Sequence, residues 1–194
     1  MCIDLNEKLL REIELILSKT TLINMCIVYY KQLIDAKTNQ SDKYSIGKNF
    51  FNSVSSAYEY VIACELTKIY NKKEEKGSLY SIISSCKDNE SVFENEGEYN
   101  KYLFNARKEI KKLDINIIKT YRHKYFAHSD EIYFGKEEDL LKEYPFDLDK
   151  FDKLNNYAID ILSDIYGKIE NCYYRYNPNL LTGFDLNNII KNLK

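Results

Sequence analysis

The stretch FDKLNNYAIDILSDIYGKIENC, residues 151–172, decides the fold class. Phe151, Leu154, Ala158, Leu162, Ile165, Ile169 and Cys172 recur at steps of 3 or 4 residues. That spacing lays one apolar stripe along a single long helix. Asp147 or Asp149 is suited to cap its start, and Tyr173, Tyr174, Asn177 and Pro178 mark its end.

Moving outward, the same period recurs upstream. Residues 4–36 are apolar at helical spacing and read as one bent helix or two, with Asp4 and Glu7 suited to a capping box. A second long helix is expected over 45–70, with Phe50, Val54, Tyr58, Val61, Ile62, Glu65 and Ile69 on or beside its inner face. Polar loops are expected at 37–44 and 71–77, a short helix at 79–86 and an acidic loop at 88–98. From Tyr99 to His128 the stripe is Leu103, Ala106, Ile110, Leu113, Ile117, Tyr121, Lys124 and His128, with Asp114 placed to break it into two helices. A final short helix is expected at 184–193. No strand pattern of period two and no internal repeat is present. The expected architecture is an all-α, antiparallel bundle of four or five helices, forming one domain over residues 1–194.

Composition agrees. Two prolines and six glycines in 194 residues leave little punctuation for tight turns. No apolar run approaches the ~20 residues that a membrane-spanning helix needs, so no membrane is expected. The charged start, with Glu7, Lys8 and Arg11, is unlike a secretory leader. The five cysteines are scattered without CxxC spacing, which fits reduced thiols in the cytoplasm rather than a zinc site or a disulfide framework.

Charge is unevenly distributed. From Lys101 to His128 eight basic residues face two acids, a net of +6 in a chain whose total is −2, so the remainder carries −8. From Ser129 to Asp149 the sign reverses. A local basic patch in an acidic protein suits one anionic ligand at one place; the alternative is a solvated helix face balanced by an acidic neighbour.

Both histidines of the chain lie at the end of the basic segment, in YRHKYFAHSD, residues 121–130. Histidine titrates nearest neutral pH. An arginine offers a planar, permanently charged fork suited to phosphate oxygens. Arg122 with His128 therefore suffices for RNA cleavage without a metal. The ribose 2′-hydroxyl attacks the adjacent phosphorus, His128 serves as base or acid, and Arg122 stabilises the phosphorane charge. DNA lacks that hydroxyl, so the chemistry selects RNA. Lys119 and Lys124 are suited to position phosphates, and Tyr121 or Tyr125 to stack on bases.

Six helical residues separate Arg122 from His128 by about 120° around the axis and ~9 Å along it. Either the helix ends near Ala127 and swings the imidazole back, or a second copy completes the site across a symmetric interface. The competing readings are plain ones. His128 continues the apolar stripe as a core histidine would, and Arg122 can pair with Asp130. A metal site using both histidines is disfavoured, because their spacing places them about 140° apart on a helix and no HxxxH or HExxH motif is present.

The stretch RHKYFAHSD, residues 122–130, resembles the signature of HEPN domains (higher eukaryotes and prokaryotes nucleotide-binding), and specifically their abortive-infection, AbiU-type branch. That signature is an arginine, four to six residues, then a histidine, often with a polar residue after the arginine. Arg122, His123 and His128 fit with five intervening residues. The resemblance implies a homodimeric, metal-independent endoribonuclease without a cofactor, often a toxin or antiviral effector restrained by an antitoxin protein. Arg122 and His128 would be catalytic and His123 supporting. Many members carry asparagine or aspartate where this chain has His123. Several HEPN proteins do not cleave RNA, so the alternative implied is a noncatalytic nucleotide-binding or protein-interaction module that regulates a partner.

Overall fold

The computed structural model describes residues 5–71, 76–122, 142, 145–174, 176 and 186–193. Among these the protein is all helical: α1 (Leu5–Asn39), α2 (Ser41–Ile46), α3 (Lys48–Ile69), α4 (Leu79–Ser85), α5 (Glu96–Lys112), α6 (Asn116–Tyr121), α7 (Leu148–Ile169) and α8 (Leu186–Lys191). The four long helices α1, α3, α5 and α7 supply the bundle, and the four short ones turn the chain between them or close its ends.

α1 is a single helix of 35 residues, about 52 Å long at 1.5 Å per residue. Leu9, Ile13, Ile16, Leu17, Ile23 and Ile27 are buried on one side of it, against α3 and α7. One stretch of α1 is long and apolar enough, by length and composition, to cross a membrane, which corrects the expectation that no run approaches that size. Its buried stripe explains the composition: α1 is the central core helix. At its far end Leu33 and Ala36 join Tyr44, Phe51 and Ile190 in a second small core that seats α8.

α7 matches its sequence pattern closely. The Asp147 side chain caps it by accepting from the Lys150 N–H at 3.1 Å. Phe151, Leu154, Ala158, Leu162 and Ile165 are buried, while Cys172 lies beyond the helix and is exposed. The end is a Schellman turn. Asn171 takes φ 48°, the Cys172 N–H donates to the Gly167 carbonyl at 2.9 Å, and the Asn171 N–H donates to the Lys168 carbonyl at 3.3 Å. A Cβ on Gly167 would lie 2.7 Å from the Cys172 carbonyl oxygen, so this turn requires glycine there.

Two expectations are corrected. Residues 37–44, read as a loop, are mostly helical in α1 and α2. The helix expected over 45–70 is divided at Gly47 into α2 and α3. A Cβ at Gly47 would sit 2.9 Å from the Phe51 ring, which packs over it. Phe51 packs over Gly47 and against Tyr44 and is buried at 5%, while Phe50, expected inside, is 67% exposed. By contrast, Asp114 does interrupt the following segment. It adopts φ 51° between α5 and α6, a conformation that short polar side chains tolerate best.

A candidate nucleic-acid interface

α6 is only six residues long, but its last turn is firmly held. Tyr121 is 2% exposed. Its ring packs against Phe146 at 5.1 Å and Phe151 at 6.4 Å, and Phe146 also meets Tyr30 at 5.5 Å. The Tyr121 hydroxyl donates to Glu59 Oε2 at 3.2 Å, and the Tyr30 hydroxyl donates to Glu59 Oε1 at 2.6 Å. Burial pushes the Glu59 carboxyl above the ordinary carboxylate range, against the opposing pull of the two hydroxyl donors. Tyr121 is thus a core anchor. Its ring is packed into the bundle, so the expectation that it stacks on bases is corrected.

Arg122 follows directly, at the C-terminal end of α6. Its backbone is still helical at φ −59° and ψ −48°, and its N–H donates to the Ile118 and Lys119 carbonyls. Successive helical positions turn by 100°, which places Arg122 100° from the inward Tyr121 and about 60° from Lys119. The arginine is half-buried, on the side of the helix that Lys119 shares. His123, Lys124, Tyr125 and His128 lie outside the described residues. Phe146, whose ring touches that of Tyr121, lies just before α7 in the chain.

Lys119 lines a cavity of about 590 Å³ between α4, α5 and α6. Arg107 and Lys111 line it from α5, with Tyr80, Tyr99 and Asp114. Arg107 and Lys111 are four residues apart and so share one face of their helix. Both are exposed, while Ala106 and Ile110, one position earlier, are buried and anchor the other face. These two cations belong to the basic segment of the sequence but were not singled out there as site residues. Their i,i+4 spacing was the available signal. Tyr30 and Glu59 gave no signal, since Glu59 is separated from Tyr121 by 62 positions.

A second cavity, of about 1300 Å³, runs along α7 and has the opposite character. Asp152, Asp160 and Asp164 line it against Lys168 alone among cations. The buried thiols offer no chemistry near neutral pH: burial pushes Cys26 up to about 11 and Cys86 up to about 12. Among the described residues no group of three His, Cys, Asp or Glu side chains is arranged to hold a metal ion.

With the bundle and the anchored Arg122 in view, comparison with known families is decisive for kinship. The model of the AbiU2 HEPN family matches residues 6–192. The chain belongs to the AbiU2 family of HEPN domains. This makes it an abortive-infection HEPN domain, and the match spans both the helical body and the RHKYFAHSD stretch. No curated protein and no solved structure matches the chain.

Proposed function

We propose that this AbiU2 domain is a metal-independent endoribonuclease, an abortive-infection effector that acts as a cytoplasmic homodimer. The observation that carries the reading is the anchoring of Arg122. Tyr121 is locked into the core by Phe146, Phe151 and Glu59, so the adjacent guanidinium emerges from a fixed point beside Lys119. A preorganised cation is what a developing phosphorane charge requires, because little reorganisation is then needed during reaction.

In the proposed reaction the ribose 2′-hydroxyl attacks its 3′-phosphorus while His128 accepts the hydroxyl proton. The P–O bond to the next nucleotide's 5′-oxygen breaks, and that oxygen takes a proton from an imidazolium. The products are a 2′,3′-cyclic phosphate and a 5′-hydroxyl. Acid and base act on opposite sides of the phosphorus. One His128 from each subunit of a symmetric dimer would supply both roles. His123 supports the site, and Lys119, Lys124 and Tyr125 contact flanking RNA. An antitoxin protein that covers the basic segment would hold the enzyme silent.

The test is cleavage of total RNA by wild type, His128→Ala and Arg122→Ala, each with and without a chelator. Loss of about 100-fold or more in both variants, with chelator-insensitive activity in wild type, is the expected result. Equal activity in all three, or activity that disappears with the chelator, overturns the proposal.

A further inference from the structure

Of the basic groove between α4, α5 and α6, only Lys119 enters the reaction proposed above; Arg107 and Lys111 have no part in it. We infer that it is a subsite for single-stranded RNA, which seats a nucleotide next to the scissile bond with its phosphate among Arg107, Lys111 and Lys119. The inference rests on the reading of the domain as an RNA-acting protein and extends it to residues outside the RHKYFAHSD stretch.

Four observations converge. First, the groove has the right size. At about 590 Å³ it falls within the ~300–1,000 Å³ range of small-ligand sites, room for roughly one nucleotide. Second, it has the right charge. Three cations line it against Asp114, and no carboxylate among the described residues forms an ion pair with Arg107, Lys111 or Lys119. The neighbouring Lys112, in contrast, is paired with Glu109 at 2.7 Å. Third, Tyr80 lines the groove as a half-buried ring, with Arg107 near enough to act on its hydroxyl electrostatically. A tyrosine face with adjacent cations is the combination that holds an unpaired base and its backbone. Fourth, the groove shares a helix with Arg122, since its lining residue Lys119 lies three positions earlier on α6, about 4.5 Å along the axis. The larger cavity on α7 carries three aspartates against one lysine and would repel a polyanion.

The experiment is fluorescence anisotropy with a 5′-labelled single-stranded RNA carrying 2′-O-methyl groups throughout, which binds without being cleaved. Wild type, Arg107→Ala, Lys111→Glu and Lys111→Gln are compared with Asp160→Asn in the acidic cavity, and thermal melts confirm folding. Lys111→Glu should bind at least tenfold more weakly. Arg107→Ala and Lys111→Gln should bind several-fold more weakly, with a salt slope shallower by about 0.7 for each phosphate no longer neutralised. Asp160→Asn should stay within twofold of wild type. Folded Arg107 and Lys111 variants that bind as wild type does would overturn the subsite. So would a wild type that binds no RNA, which would leave the groove to an acidic protein partner. A parallel cleavage assay on the unmodified RNA separates the two ideas. Groove-dependent binding without cleavage by wild type supports the subsite and removes only the nuclease reading. Cleavage with groove-independent binding removes only the subsite.

Discussion

The two grooves of this molecule are opposites. Along α7, aspartates face solvent over the most regular apolar stripe in the chain. Between α5 and α6, lysines and arginine surround a break in the helix made by Asp114 at φ 51°. The difference teaches how this fold divides its work. α7 and α1 bury large side chains in register and carry the stability. The α5–α6 edge buries less, leaves Arg107 and Lys111 exposed with Lys119 half-buried, and carries the charge that an anionic ligand would meet.

That division can be broken or sharpened by substitution. The largest effect is expected at the α7 core. Phe151 is fully buried beneath the Tyr121 ring, so Phe151→Ala should lose about 3–5 kcal/mol in denaturant unfolding. Next is Gly167→Ala. The added Cβ would sit 2.7 Å from a backbone carbonyl, which forces the Schellman turn to shift and should cost about 1–3 kcal/mol by the same measurement. At the boundary between the two regions, Tyr121→Phe keeps the ring and removes the donor to Glu59, an expected loss of about 1 kcal/mol. The smallest effect belongs to the basic edge. Lys111→Ala should change unfolding by less than about 0.5 kcal/mol while weakening RNA binding. A large loss of stability at Lys111 would show that the edge is structural after all.

Glu59 adds a pH test of the same boundary. Burial raises its folded pKa above the unfolded value. The folded protein then holds that proton where the unfolded chain has released it, so this group's contribution is fully present below the unfolded carboxylate pKa and is lost as pH rises through the folded pKa. A glutamine in its place would carry no desolvated charge. The difference in melting temperature between Glu59→Gln and wild type should therefore move in favour of the variant from about pH 4 to about pH 7. A difference that is flat with pH would mean that Glu59 is not desolvated as described.

The all-α class and the course of α7 could be read directly from the sequence, because an uninterrupted stripe of 3- and 4-residue steps has only one helical phase. The break at Asp114 was legible for a related reason: a short polar residue interrupts an apolar series. The α2–α3 region was not. Two adjacent phenylalanines both lie near the apolar face, and nothing in a local window tells Phe50 from Phe51 until the Phe51 ring is seen over Gly47. Of the candidate site, the basic segment that holds Lys119 and Arg122 was visible in the charge pattern, but the groove that Lys119 shares with Arg107 and Lys111 was not. Tyr121 was misread because aromatic residues serve equally as stacking platforms and as core. Its partners Glu59 and Phe146 come from separate parts of the chain and become neighbours only in three dimensions.

The contact between Tyr121 and Phe146 has one further consequence. It ties the last turn of α6 to the residues just before α7. Tightly packed rings transmit a displacement rather than absorb it, so a shift at the entry of α7 would carry the neighbouring Arg122 with it. Whatever loosens that entry would be felt at the guanidinium beside it.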